Sequence, residues 1–265
     1  MANDYFRFRR FTVNQGLCGM KVGTDGTLLG AWAGVPSLPG GRHPRILDIG
    51  TGTGLIALMM AQRYAEASVT GIDIDDGAVT QARQNVAASP FARRIAIEQR
   101  DVADMEGTFE TIVCNPPYFV DALQSPDAQR TTARHAATLT YRQLMLSAWR
   151  LMDDGGELSV IIPFDCRQRL EAEAFLAGLS KVREWAVKTT PCKPPRRYLL
   201  AFRKHPAETE KAELVIGSEQ YKEMMSDFYL EEKVIYYESS TDTNGHCLGR
   251  PDGKHPQGGS TDGRL

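Results

Sequence analysis

The sequence predicts an α/β fold, a mostly parallel sheet with helices on both faces. Three observations predict it. Short apolar runs alternate with longer amphipathic ones from residue 45 to residue 162, and strand–helix alternation of that kind builds a parallel sheet covered on both sides. A glycine-rich turn, Gly50-Thr51-Gly52-Thr53-Gly54, joins the first apolar run to an Ala/Leu/Met-rich one. The length of 265 residues suits one sizeable α/β unit with an appendage and hardly allows two full cores.

In chain order, residues 1–44 form a lead-in. FRFRRFTV alternates like a strand there, and TLLGAWAGV reads as a short helix before the Pro/Gly-rich SLPGGRHP. Residues 45–49 are an apolar strand, 53–64 a helix opened by glycines, 68–73 a strand, and 76–88 a helix with Asp at its start. Strands follow at 95–98 and 111–114. The amphipathic run 139–152 is a helix, stopped by Asp-Asp-Gly-Gly before the strand 157–162. A helix at 166–179, strands at 182–188 and 198–202, and a helix near 219–230 close the fold. Residues 1–230 read as one domain, whereas 231–265, and above all 239–265, carry almost nothing to bury and read as a disordered tail.

A net charge of −2 gives no overall pull toward nucleic acid or membrane. The five cysteines are scattered, without CxxC or paired spacing, which favours reduced thiols over a disulfide framework or zinc site. His246, Cys247 and His255 match no metal-site spacing, so no metal is expected. The start MANDYFRFRRFTV lacks the apolar run of a signal peptide, and no stretch has membrane-spanning length. A cytoplasmic monomer is expected, with no membrane or obligate protein partner.

In LDIGTGTGLIAL the glycines at 50, 52 and 54 let the backbone turn sharply and approach a ligand where a Cβ would clash. Asp73 ends the next strand, 23 positions after Gly50, where a carboxylate can accept both hydrogens of a ribose diol. Nicotinamide and flavin enzymes share such turns, but two details favour S-adenosylmethionine. The spacing is GxGxG rather than GxGxxG, and Asp48 stands directly before the loop, where it suits a cationic, amine-bearing ligand and would repel a pyrophosphate. Asp101, after the third strand, is placed for the adenine amine, with a solvated loop carboxylate as the plain alternative.

The most specific signal is the strand TIVC running into Asn115-Pro116-Pro117-Tyr118. It stands where the fourth strand of a doubly wound sheet should end, at the ligand crevice. Two prolines stiffen the loop and leave carbonyls without N–H donors. The Asn115 side-chain oxygen and the Pro116 carbonyl can each accept one hydrogen of a planar amine, favouring the charge that develops as its nitrogen attacks. Tyr118 offers a flat face for a base to stack upon.

Together LDIGTGTG, GIDID and NPPY resemble the class I, N6-adenine-type methyltransferases. The lead-in FTVNQGLCGMKVGTDGTLLGAW (residues 11–32) resembles the bacterial tRNA1(Val) adenine-37-N6-methyltransferase family, with SPFARRI and RRYLLAF extending the likeness to residue 230. The resemblance implies a seven-stranded Rossmann-like domain, S-adenosylmethionine as cofactor, and as substrate the adenine 3′ of a tRNA anticodon. It makes Asn115, Pro116, Pro117 and Tyr118 the catalytic loop, with Asn115 also beside the cofactor. It puts Asp48, Gly50, Gly52, Asp73 and Asp101 around the cofactor, with Lys21, Thr24 and Asp25 over it as a lid. The tail after residue 230 departs from the family pattern.

An RNA enzyme needs local positive charge. Residues 1–47 hold six basic against two acidic side chains, net +4, including Arg7, Arg9 and Arg10. Residues 181–205 hold eight against one, net +7, including Lys193, Arg196 and Arg197 in the stiff loop CKPPRRY. These six are the candidate RNA contacts, with solvated surface as the alternative reading. Other readings stay open at this point: the same loop chemistry on a glutamine amide of a translation factor or on another RNA amine, a non-catalytic RNA-binding protein, and a nicotinamide oxidoreductase, which leaves NPPY unexplained.

Overall fold

A computed structural model describes residues 4–19, 21–38, 42–117 and 139–230. Tyr118 and the tail from residue 231 lie outside the described residues.

The lead-in forms an antiparallel pair, β1 (Tyr5–Arg7) and β2 (Thr12–Asn14), with Phe6 opposite Val13. Its aromatic side chains bind it to the far end of the chain. Phe8 stacks on Phe11 at 4.7 Å and on Tyr229 at 6.1 Å between ring centroids, and the Arg9 Nε donates to the Tyr229 carbonyl at 2.7 Å. Next comes α1 (Thr24–Trp32), buried over most of its length because Leu28, Leu29, Ala31 and Trp32 leave it no polar face.

The central sheet is built from β3 (Arg45–Ile49), β4 (Ser68–Asp73), β5 (Ile95–Gln99), β6 (Phe109–Cys114), β7 (Met152–Pro163), β8 (Ser180–Lys188), β9 (Arg197–Arg203) and β10 (Glu210–Val215). Its order is β10-β8-β9-β7-β6-β3-β4-β5. Only β9 runs antiparallel to its neighbours. Helices α2 (Leu55–Arg63), α3 (Asp76–Ala87), α4 (Tyr141–Leu151), α5 (Arg167–Leu176) and α6 (Glu219–Met225) complete the fold. Among the described residues no helix is long and apolar enough to cross a membrane.

Period-2 alternation explains why the inner strands read as continuous apolar runs. Ile46, Val113, Ile161, Leu199 and Ala201 belong to one core with α1, α2 and α6. Leu47, Ile112, Val160, Leu200 and Phe202 belong to a second core on the other face with α4 and α5.

The sheet has eight strands, not the expected seven. The addition is β10, which pairs parallel with β8 at the edge. Of its six residues only Leu214 is buried, so it has no apolar alternation for a sequence reading to find. Among the described residues Cys18, Cys114 and Cys166 are free thiols.

Candidate active site

The site lies at the carboxyl ends of β3, β4 and β6, where the order of the sheet reverses about β3 and where open α/β sheets bind ligands. Gly50, Gly52 and Gly54 have φ of +69°, +56° and +79°, left-handed values that explain the three glycines. The loop they form folds onto the end of β4. The amides of Gly50 and Thr51 both donate to the Ile72 carbonyl, at 2.9 and 3.0 Å, and the Gly52 amide donates to Asp73 Oδ2 at 2.9 Å. Asp73 Oδ1 accepts from the Asp75 amide at 3.0 Å. Its position is therefore fixed through both oxygens, each of which keeps a second lone pair for a ligand.

Beneath the loop, Asp48 is fully buried. Its Oδ2 accepts from the Thr51 hydroxyl at 2.6 Å and from the Ala57 amide at 3.1 Å, which ties the end of β3 to the start of α2. Its Oδ1 is buried without a hydrogen-bond partner. Burial pushes the carboxyl pKa up to about 7 against those two hydrogen bonds, and the nearby Asp73 charge adds to the rise.

Two cavities meet at this edge. The first, of about 680 Å³, is lined by Gly50, Gly52, Asp73, Asp101, Asn115 and Pro117, with apolar walls from Ile49, Ile74 and Val102. Its size and mixture of apolar walls with a few polar groups suit a small organic ligand. Asp101 caps a short 3-10 turn through a 2.8 Å bond from the Ala103 amide to its Oδ1. The second cavity, of about 400 Å³, is lined by Lys21, Thr24, Asp25, Gly50, Asn115 and Arg197. Half-buried Asn115, just past the end of β6, lines both.

The structure thus gathers Gly50, Gly52, Asp73, Asp101, Asn115 and Pro117 at one cavity, and Lys21, Thr24 and Asp25 at its neighbour. Asp48 and Pro116 are buried and line neither. Sequence reasoning missed Cys18 of the lead-in and Leu139, Gln143 and Ser147 at the start of α4, all lining the first cavity. Cys18 lies within the lead-in string that carries the resemblance, which assigns it no role; no motif marks the other three, which arrive only through folding. Burial pushes the Cys114 thiol pKa well up, reinforced by the charges of Asp48 and Asp73, so Cys114 is an apolar wall rather than a nucleophile. Among the described residues no group of three or more His, Cys, Asp or Glu side chains could hold a metal.

The basic candidates disperse. Arg7 is exposed, while Arg9 is tied to Tyr229 and Arg10 lies over the Phe91 ring at 5.0 Å. In the second segment Lys181 pairs with Glu171 and Glu184, Arg183 and Arg203 with Glu157, and Lys188 with Glu213. Lys204 donates to the Met152 carbonyl at 2.8 Å. Arg197 pairs with Asp25 at 2.8 Å, which places it in the second cavity. Lys193 and Arg196 are exposed beside the Pro191–Pro195 turn.

Known proteins match this arrangement. The methyltransferase small domain family matches residues 35–178. The tRNA1(Val) (adenine(37)-N6)-methyltransferase of Bacteroides thetaiotaomicron is 43% identical over 242 residues, 88% of this chain and 100% of the relative. That of Phocaeicola vulgatus is 46% identical over 238 residues, 87% of this chain and 99% of the relative. Among solved structures, a predicted O-methyltransferase from Agrobacterium tumefaciens superposes with a TM-score of 0.53 at 21% identity, covering 73% of this chain and 88% of that one; the likeness is one of fold. With more than half of its length in the small-domain match and near-complete coverage of relatives above 40% identity, the chain belongs to the tRNA1(Val) (adenine(37)-N6)-methyltransferase family.

Proposed function

We propose that the protein methylates the exocyclic N6 amine of an adenine in tRNA, at position 37 beside the anticodon of a valine tRNA, using S-adenosylmethionine. The observation that carries the reading is the place of Asn115, at the junction of two cavities and directly beyond the glycine loop. The activity for which the relatives are named agrees with it.

The residues fit such a donor. Left-handed glycines leave room for close approach, and the buried Asp48, bonded to Thr51 and Ala57, holds the loop in place from beneath. Asp73 would hold the ribose diol and Asp101 the adenine amine in the first cavity. Lys21, Thr24 and Asp25 would hold the amino-acid arm in the second, with Arg197 orienting Asp25 through their ion pair. The donor supplies an activated methyl on a sulfonium.

The chain's own chemistry is positioning and acceptance of hydrogen bonds. The lone pair of an aromatic amine is delocalised into its ring, so the amine is a poor nucleophile. The Asn115 side-chain oxygen and Pro116 carbonyl would accept its two hydrogens and stabilise the positive charge that develops on nitrogen. Holding the nitrogen in line with the methyl supplies most of the remaining acceleration. The methylated ammonium is acidic and loses its proton without a strong base. Tyr118 would provide the stacking face.

Incubation with labelled S-adenosylmethionine and total tRNA, followed by digestion to nucleosides, tests the reading. Label in N6-methyladenosine is expected. Label in another nucleoside, or only in a protein substrate, overturns it.

A further inference from the structure

The lead-in crosses the first cavity at residues 14–19, where Cys18 and Gly19 form part of the lining. Cys18 Sγ lies 3.7 Å from the place a Cβ on Gly52 would occupy, so this strap runs directly over the glycine loop. It is anchored through the backbone by amide side chains of α3. Asn85 Oδ1 accepts from the Asn14 amide at 2.9 Å, and Asn85 Nδ2 donates to the carbonyls of Asn14 and Thr53, both at 2.9 Å. Asn85 therefore joins strap and glycine loop through one side chain. Gln81 Oε1 accepts from the Leu17 amide at 3.0 Å. Asn85 is 0% and Gln81 2% exposed, so two buried side chains hold the backbone of strap residues, Asn14 and Leu17, that are themselves exposed. A third feature of α3 is steric. A Cβ added at Gly77 would stand 2.8 Å from the Leu17 carbonyl oxygen, and only glycine lets the strap lie this close to the first turn.

We infer that Gln81, Asn85 and Gly77 are positioning residues, which hold the 14–19 strap across the methyl-donor cavity and so set how long the donor stays bound. The inference rests on the donor-binding reading above. It explains why polar amides occupy the inward face of a helix that otherwise buries Ala78, Val79, Ala82 and Val86. It also couples two parts of the site. Asp75, the N-cap of α3, bonds to Asp73 through its amide, so the helix that orients the ribose acceptor also fastens the cover above it.

Two variants test this. Gln81→Met keeps the shape of the side chain and removes the acceptor. Gly77→Ala leaves every hydrogen-bonding group in place and pushes chiefly on the strap, with a looser approach of 3.2 Å to the Asp75 Oδ1 cap, at a helical position where alanine otherwise favours the fold. Each should speed S-adenosylhomocysteine release and weaken its equilibrium binding by up to about tenfold, the scale of one hydrogen bond. Each should raise KM for the donor while leaving kcat within about twofold, because Asn115 is untouched. Amide hydrogen exchange should quicken in residues 14–19 and stay unchanged in β3 and α2, which a general loosening of the fold would also disturb. Wild-type release rates and affinity in both variants overturn the inference. Failure of the wild-type protein itself to bind S-adenosylhomocysteine overturns the donor-binding reading instead.

Discussion

The glycine loop and the basic strands β8 and β9 were both conspicuous in the sequence, and they fared differently. The loop sits where its residues imply, because its requirement is local: three left-handed glycines must turn the chain between a strand and a helix. The basic segment looked like an RNA surface by count, yet six of its eight cations are occupied within the protein. A backbone constraint is written in adjacent residues. A charge is assigned its partner by the fold, from anywhere in the chain, and counting cannot find that partner.

The sharpest test of the loop side is Asn115→Ala. Loss of one acceptor aimed at developing charge should lower kcat on the order of 10²–10³-fold and leave S-adenosylhomocysteine affinity nearly unchanged by calorimetry. Near-normal turnover would remove the loop's claim to chemistry.

On the basic side, Glu157→Ala should reveal the internal use of charge. Glu157 is 1% exposed and accepts from both Arg183 and Arg203. Removing it strands two guanidiniums, costing about 3 kcal/mol, the low end for a buried pair because Arg203 is partly solvated. Denaturant unfolding would measure this. A loss below about 1 kcal/mol would mean that these arginines remain available to RNA.

Asp48 extends the comparison, since the loop region buries a carboxyl without a cationic partner. Its pKa in the folded protein, raised to about 7, means the native state keeps a proton the unfolded chain has released. Stability should therefore fall as pH rises from about 4 to about 7, and Asp48→Asn should flatten that slope. The ceiling is about 4 kcal/mol, and about half of it is expected once the site relaxes around the charge. Melting curves at pH 4.5 and 8 on both proteins would measure it; parallel profiles would show that Asp48 is ionised throughout.

Most of the fold was legible for the same reason as the loop. β3 and β4 have the bounds their apolar runs imply, and α2 and α3 differ from expectation by no more than two residues at either end. The edge strand β10 was illegible because it buries a single side chain. In the site, Asp73 and Asn115 stand out in the sequence because one ends a strand and the other directly follows one, each in a recognisable string. Cys18, Gln143 and Ser147 were not, because only tertiary packing brings the lead-in and α4 to the first cavity. The amides of Gln81 and Asn85 gave no signal either: their partners are backbone groups 64 and 71 residues away.

The smallest effect separates residues that the sequence grouped together. Lys193, Arg196 and Arg197 stand within five positions, yet Arg197 faces Asp25 in the second cavity while Lys193 and Arg196 are exposed. If the exposed pair touches phosphate, Lys193→Ala with Arg196→Ala should raise KM for tRNA and reduce the slope of log affinity against log salt, by about 0.7–0.9 for each phosphate left without its cation. Turnover at saturating tRNA should hold, since phosphate contacts place the substrate and do not act on the amine. Arg197→Ala should do something different. Freed from its partner, Asp25 loses its fixed orientation at the cavity shared with Asn115, so KM for the methyl donor should rise while the salt slope for tRNA stays put. An unchanged slope in the double variant would return Lys193 and Arg196 to ordinary solvated surface. A salt slope altered by Arg197→Ala would mean that this arginine reaches RNA across the second cavity, and that the ion pair with Asp25 opens when tRNA binds.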